Sequence, residues 1–241
     1  MEHFAGFRPA AFSFLRSLAR NNNKAWFEAH RDEYESEVRE PMRTLVDELD
    51  AVLGAIAPEF RGDARRSVFR IHRDVRFSAD KSPYKTNAAC WLFHRDAGHG
   101  VGREAHGGAG FYFQIEPARC FSGGGVWMPP KPALDRIRQA LGDDHRAFSS
   151  ILRAPRLKRR FGGLDDEAVL TRVPRGFAPD HRAADLLRHK SFIVGRTIPD
   201  RQTNSRTLLS ILKTDIEVML PLVRWLNSSL GLRSAAAIRS P

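Results

Sequence analysis

The sequence predicts one α+β domain, in which an antiparallel sheet of about five strands is packed by N-terminal and C-terminal helices. Apolar residues recur at helical spacing near the N-terminus and again near the C-terminus. From Ser67 to Trp127 the apolar period changes to two, and short links between the candidate strands favour antiparallel pairing. No stretch rich in Pro, Gly or Ser divides the 241 residues, so the domain is expected to cover 1–233, with a flexible tail at 234–241.

Two helices are predicted before the sheet. Residues 10–20 have apolar side chains at helical spacing and are followed by three asparagines, which favour turns and helix caps. Asn23 is therefore expected to cap the second helix, whose apolar pattern continues to Ile56. Pro41 lies inside that pattern and removes a backbone donor, which predicts a kink or two helices that meet near Glu40.

The chain after residue 86 predicts further strands and helices. Residues 110–127 alternate in polarity around Pro117-Ala118, which predicts a hairpin. The other expected strands are 87–94, 168–173 and 191–195. The expected helices are 132–141, a second one through Phe148 and Leu152, 180–189, and 204–230 with an interruption or kink at Pro221.

Residues 68–85 form the segment in which the candidate site is predicted. Apolar and charged residues alternate there, so an extended chain would place them on opposite faces. The apolar face would hold Phe69, Ile71, Val75 and Phe77, and the other face a charged row of Arg70, His72, Asp74 and Arg76. A turn at Ser82-Pro83 would leave Lys81, Tyr84 and Lys85 beside this row, and a hairpin could bring Tyr112, Gln114 and Glu116 opposite it.

Composition narrows the class of protein. A formal net charge of +11 favours association with phosphates, acidic ligands or nucleic acid, although scattered arginines can also reflect a composition bias of the genome. Only two cysteines are present, Cys90 and Cys120, and both are expected to be buried thiols in a reducing compartment. No apolar run approaches the roughly 20 residues that span a bilayer, so a cytoplasmic protein without membrane contact is expected.

Several motifs spread over nearly the whole chain carry a family resemblance. They are Asn21-Asn22, Trp26-Phe27, Tyr34, residues 73–78, residues 80–85, Gly123-Gly124-Gly125, residues 174–177 and residues 187–192. Together they resemble the conserved hypothetical bacterial and fungal proteins of domain-of-unknown-function family 2461. The His-rich and Gly-rich stretch from His94 to Gly110 departs from the resemblance because it is longer than the family's connection. The resemblance implies a fold and a marked site, but it supplies no reaction.

The leading functional hypothesis is binding of a phosphorylated or otherwise anionic ligand by an intracellular protein. The expected anion contacts are Arg70, Arg73, Arg76, Lys81 and Lys85, with Tyr84 as a hydrogen-bond donor. Whether the protein is an enzyme, and with which cofactor, is left open by the sequence. For catalysis His72 is the candidate acid or base, and Asp74 would orient it or hold Arg76. A solvated sheet face with cross-strand ion pairs is the competing interpretation of the row.

Two other functions compete with this hypothesis. A nucleic-acid-binding module would use the same face together with Arg153, Arg156, Lys158, Arg159 and Arg160, and this segment is expected to be dispensable for folding. A structural partner protein would bind no ligand at all.

Other candidate motifs favour structural roles. No metal site is expected, because His94, His99 and His106 lack Cys or acidic companions at zinc-like spacing and are expected in an exposed loop. Gly123-Gly124-Gly125 lacks nucleotide-loop spacing and favours a bulge or close backbone packing. Trp26, Trp91 and Trp127 are expected in the core.

Overall fold

Five strands pair in the order in which they occur along the chain, and every pair is antiparallel. They are β1 (Phe60–Arg61), β2 (Ala88–His94), β3 (Gly110–Ile115), β4 (Cys120–Val126) and β5 (Phe192–Ile198). This computed structural model describes residues 3–76, 78–97 and 108–234. The expected hairpin is β3–β4, which turns at Ala118 with a φ of 63°. The predicted α+β domain with five antiparallel strands is confirmed.

Helices before β1, between β4 and β5, and after β5 complete the fold. They are α1 (Pro9–Arg20), α2 (Lys24–Ala29), α3 (Arg31–Tyr34), α4 (Glu40–Ile56), α5 (Lys131–Asp143), α6 (Arg146–Arg153), α7 (Pro155–Phe161), α8 (Ala184–Leu187), α9 (Asp200–Thr203) and α10 (Leu208–Ser229). A 3-10 turn, Arg95–Ala97, follows β2. Within the described ranges, no helix is both long enough and apolar enough to cross a bilayer.

The predicted cap at Asn23 and the predicted change of helix near Glu40 are both confirmed. The Asn23 side chain accepts a hydrogen bond from the Trp26 amide at 3.0 Å and so caps α2. A π-helical turn, Glu35–Arg39, joins α3 to α4, and Pro41 lies in the first turn of α4, where a missing amide hydrogen is tolerated. The helical chain therefore changes its geometry next to Glu40. By contrast, α10 continues past Pro221.

The two faces of the sheet have different neighbours. On the helix-covered face, alternate residues of β2 and β3 are buried beside α4 and α10. That face holds Cys90, Leu92, Phe111, Phe113 and Ile115. The opposite, groove face holds the residues between them, with Trp91 paired to Tyr112 and Tyr112 to Gly123. Both cysteines are buried as expected, and burial raises the pKa of Cys90 to about 12.

The regular alternating strand predicted in the first half of the segment 68–85 is not present in residues 68–76. An isolated bridge joins Val68 to Cys90 at the edge of β2, and a second isolated bridge joins His72 to Tyr84 within the segment itself. Asp74 and Asp80 explain the irregularity. Each accepts a hydrogen bond from a backbone amide two residues later, that of Arg76 at 3.3 Å and that of Ser82 at 2.9 Å. Such local bonds compete with a regular strand ladder.

Three other local predictions need correction. Residues 168–173 form a single bridge between Val169 and His189 in place of a strand, and 180–189 contain only the four-residue α8. His94 is 2% exposed, because its Nε2 contacts the Arg233 carbonyl oxygen at 2.9 Å and its Nδ1 accepts from the Asp96 amide. His99 and His106 lie outside the described residues. A local sequence pattern cannot predict this partner of His94, because Arg233 is 139 residues away in the chain.

Candidate ligand-binding groove

A groove of about 880 Å³ opens on the groove face of the sheet. One wall and the floor are aromatic, and the edge formed by residues 66–74 and Lys85 is charged. The aromatic lining consists of Phe69, Trp91, Tyr112, Phe121 and Trp127, and the polar and charged lining of Arg66, Arg70, His72, Asp74 and Lys85. A concave, largely apolar surface with a few polar groups at one edge is the usual form of a small-molecule site.

Glycines shape the floor of this groove. An added Cβ atom at Gly195 would lie 2.1 Å from the Phe121 ring, and one at Gly123 would lie 2.7 Å from it. Gly110 likewise leaves room for the Trp91 ring, which a Cβ atom would approach to 2.7 Å. Glycine therefore lets these rings approach the backbone closely. The prediction that Gly123-Gly124-Gly125 serves close backbone packing is confirmed.

The aromatic side chains form a connected surface. The Tyr112 ring lies 6.1 Å from Phe69 and 6.3 Å from Phe121, measured between ring centroids. The Lys85 ammonium group lies 5.2 Å from the Phe69 centroid, which is a cation–π distance. A planar ring placed on this surface would therefore meet aromatic faces and a cation together.

The two tryptophans of the groove differ in exposure. Trp91 is 5% exposed, as predicted for a core residue, but its Nε1 is buried without a hydrogen-bond partner in the described part of the chain. Trp127 is 57% exposed, so its predicted core position is wrong. It follows β4 directly, beyond the last residue that pairs with β5. A large exposed ring such as that of Trp127 is unusual for a surface without a ligand.

Arginines line the charged edge without local partners. Arg70 and Arg66 are exposed, and within residues 3–76, 78–97 and 108–234 neither guanidinium group has a hydrogen bond or an ion pair. Arg70 does act on Asp74 at longer range, since its charge helps to lower the pKa of that carboxyl. These two fork-shaped donors are available to a ligand in the groove.

Asp74 is paired with Arg76. Its two carboxylate oxygens accept hydrogen bonds from Nε and Nη2 of Arg76, at 2.9 and 2.7 Å. These hydrogen bonds are the main reason why the pKa of Asp74 falls to about 2. The structure thus shows the second role considered for Asp74, which is to hold Arg76. In the described chain no hydrogen bond joins Asp74 to His72. The His72 side chain is exposed, and its ring centroid lies 5.1 Å from that of Tyr84.

The structure brings only some of the predicted residues into the groove. Arg70, His72, Asp74 and Lys85 line it, whereas Arg73, Arg76, Lys81 and Tyr84 are outside its lining. Arg73 is ion-paired with Asp80, whose pKa is lowered chiefly by hydrogen bonds from Ser82 and Arg73. The Lys81 ammonium group donates to the Val75 carbonyl oxygen at 3.0 Å. These local contacts replace the predicted row of free cations.

Tyr84 occupies a structural position instead of the predicted donor position. It is 3% exposed and stacks on Phe27, with ring centroids 4.2 Å apart. Asn22 donates to the Tyr84 carbonyl oxygen at 2.9 Å and accepts from its amide at 3.0 Å. Burial raises the pKa of its hydroxyl group. Asn22, Phe27 and Tyr84, all within the motifs that carry the family resemblance, therefore fasten the segment to α2.

Sequence reasoning missed several residues of the groove. Phe69 was expected on the face opposite Arg70, but both line the groove, while Ile71 is buried in the core. Strict alternation failed because the segment is not a regular strand. Phe77 lies outside the described residues. Phe121 could have been identified from its position in β4, where it alternates with Gly123 and Gly125 on the groove face.

No metal centre is apparent in the described residues, since they contain no group of three or more His, Cys, Asp or Glu side chains that could hold an ion.

Comparison with known proteins assigns a family to the chain. The family described as conserved hypothetical protein (DUF2461) matches residues 10–225, which include all five strands and most of the helices. No curated protein matches the chain.

Proposed function

The chain belongs to the DUF2461 family of conserved hypothetical proteins, and we propose that it binds an anionic ligand bearing a planar ring. The ring would lie on the aromatic surface of Phe121, Tyr112 and Phe69, and the anion would face Arg70 and Arg66. The observation that carries this proposal is the meeting of five aromatic side chains and unpaired arginines in one groove of about 880 Å³.

The chemistry of the lining supports both halves of the ligand. Aromatic faces bind planar rings by stacking, with about 1–3 kcal/mol per nucleobase as a guide. Arginine forks bind phosphate or carboxylate oxygens in pairs, and such charge-assisted bonds are stronger than neutral ones. This proposal keeps Arg70 among the predicted anion contacts, adds Arg66, and leaves out Arg73, Arg76 and Lys81.

The cellular setting belongs to the same proposal. Cys90 and Cys120 are unpaired and buried, which is typical of a reducing compartment. We therefore infer a cytoplasmic protein whose ligand is an intracellular metabolite.

The test uses adenosine 5′-monophosphate as a probe that combines a ring with a phosphate. We expect a saturable rise in melting temperature with this nucleotide, because a ligand that binds only the folded state stabilises it. Adenosine and inorganic phosphate should each bind at least about 10-fold more weakly, because each lacks one half of the interaction. Arg70→Ala should weaken nucleotide binding about 10- to 100-fold, the value of a hydrogen bond to a charged group.

A matched control and a clear failure complete this experiment. Arg201→Ala removes an exposed arginine that is outside the groove lining, and binding should not change. The proposal fails if neither the nucleotide nor a panel of other ring-bearing anions binds, or if Arg70→Ala and Arg201→Ala behave alike.

A nucleic-acid-binding function is the second candidate, and exposed Trp127 favours it. A ring that is 57% exposed at the groove could stack on a base of a single strand. The two candidates differ in salt dependence, because each phosphate neutralised on a single strand adds about −0.7 to the slope of log affinity against log salt. A slope several times steeper for an oligonucleotide than for the mononucleotide would favour the second candidate.

A further inference from the structure

A second basic pocket, separate from the groove, lies between α7, β5 and α10. It has a volume of about 470 Å³ and is open to solvent. Its lining consists of Arg156, Arg159, Arg160, Arg196, Thr214 and Val218. None of these residues lines the groove, so a ligand of this pocket would be independent of the function proposed above.

A buried carboxylate fixes two of these arginines. Asp215 of α10 is completely buried. Its Oδ1 accepts one hydrogen bond from Nε of Arg196, at 3.0 Å, and another from Nε of Arg160. A buried charge must be paired, so this contact sets the positions of both guanidinium groups. Arg160 also donates from Nη2 to the Ile211 carbonyl oxygen at 3.4 Å. The expectation that 153–160 is a dispensable surface segment is therefore wrong for Arg160.

The fixed arginines keep donors for a ligand. Arg196 uses only Nε in its contact with Asp215, and its side chain is 21% exposed. Arg160 is 29% exposed and lines the same pocket. A guanidinium group has five N–H donors in a rigid fork, so each of these side chains can bind an anion while Asp215 holds it in place.

The other two arginines of the pocket lack partners. Arg156 and Arg159 are exposed, and the described chain offers neither a hydrogen bond nor an ion pair to their side chains. They lie three residues apart in α7, as do neighbours on one helical face, and Arg160 follows directly. Four guanidinium groups thus line one pocket, and two of them share the Asp215 carboxylate, whose other oxygen, Oδ2, is buried without a hydrogen bond in the described chain. Like charges at this density repel one another unless an anion joins them.

We propose that this pocket binds closely spaced phosphate groups. Arg160 and Arg196 would supply donors already in position, and Arg156 and Arg159 would close on the ligand from the exposed side. Phosphate is favoured over a single carboxylate because four guanidinium groups can each engage a separate oxygen only if several charged oxygens lie close together. The phosphates could belong to a free polyphosphate chain or to the backbone of a nucleic acid.

Isothermal titration with inorganic tripolyphosphate tests the proposal. The wild type should bind in a saturable way, and the double variant Arg156→Ala/Arg159→Ala should bind at least about 10-fold more weakly. Its melting temperature should stay close to that of the wild type, because both side chains are exposed and unpaired. Arg153→Ala is the matched control, since this arginine is exposed beside α7 but does not line the pocket, and it should leave binding unchanged.

A second arm separates the two sources of phosphate. The ligand is a nucleic-acid backbone if a single-stranded oligonucleotide displaces tripolyphosphate and also binds the double variant more weakly than the wild type. If the oligonucleotide fails to displace tripolyphosphate, the ligand is a free polyphosphate. Arg70→Ala, which changes the groove, should leave tripolyphosphate binding intact. The proposal is overturned if tripolyphosphate does not bind the wild type, if the double variant binds normally, or if Arg70→Ala abolishes binding.

Discussion

Phe113 of β3 and Phe121 of β4 are close neighbours in one sheet but lie on opposite faces. Phe113 is 3% exposed among helix-covered residues, and the Phe7 ring lies 6.3 Å from it. Phe121 is half-buried, with its ring over two glycines and one side toward the groove. The same residue type is thus enclosed on one face and left accessible on the other.

This difference separates residues that build the fold from residues that offer binding surface. On the helix-covered face, aromatic side chains have protein atoms on all sides, so folding accounts for them. On the groove face, Tyr112, Phe121 and Trp127 keep exposed area that folding leaves unused. An aromatic surface maintained beside unpaired arginines is better explained by a ligand than by packing.

The largest effect is expected from truncating the enclosed ring. Phe113→Ala should lower the free energy of unfolding by about 3–5 kcal/mol, because it leaves a cavity in a close-packed core. Phe121→Ala should cost about 1 kcal/mol or less, since the groove is already open on one side of the ring. Urea denaturation of both variants measures the difference, and equal losses would show that the groove face is as structural as the covered face.

A smaller loss of stability is expected when a glycine on each face of the sheet is replaced by alanine, which adds one methyl group. A Cβ atom at Gly124 would lie 3.0 Å from the Met219 sulfur and 3.2 Å from the Phe111 ring, so Gly124→Ala should cost about 1–3 kcal/mol by overpacking the core. Gly195→Ala would instead meet the end of the Phe121 ring, which can move into the groove.

Gly195→Ala should therefore cost less stability than Gly124→Ala but should reduce nucleotide binding, because the displaced ring occupies ligand space. Denaturation and calorimetry on the same two variants give the comparison. Loss of stability without loss of binding in Gly195→Ala would contradict the assignment of Phe121 to the groove floor.

The elements that sequence predicted correctly are those with local physical causes. Asn23 caps α2 through a bond to Trp26, three residues away, and the β3–β4 hairpin forms between strands separated by four residues. The apolar periods of α4 and α10 likewise identify their buried sides. In each case the residues that determine the structure are close neighbours in the chain.

The candidate site was predicted less well because its decisive contacts are distant or irregular. Arg70, His72 and Lys85 do line a groove, but Tyr84 is held by Asn22, 62 residues earlier, which no local pattern reveals. Alternation placed Phe69 away from Arg70, since the rule holds only where a regular ladder fixes the register. The aromatic half of the groove comes from β2, β3, β4 and Trp127, and only the folded sheet brings these together.

The smallest effect is expected at the solvated edge of the groove, where Asp74 pairs with Arg76. The folded-state pKa of Asp74 is about 2, below its ordinary value of 3.8, and the hydrogen bonds from Arg76 are the largest cause. A carboxyl whose pKa is lowered by folding adds stability above its unfolded pKa and loses it as the pH falls through the folded value. The contribution should therefore be complete above about pH 4 and disappear toward pH 2.

NMR titration of the Asp74 carboxyl carbon gives this pKa directly. Arg76→Ala should return the pKa most of the way to its ordinary value, whereas Arg70→Ala should change it only slightly, because the Arg70 charge lowers the pKa less than the contacts with Arg76 do. The effect on stability should be small, since the pair is exposed to solvent and salt screens it. An ordinary pKa in the wild type would show that Arg76 leaves Asp74 in solution, and Asp74 would then be able to orient His72.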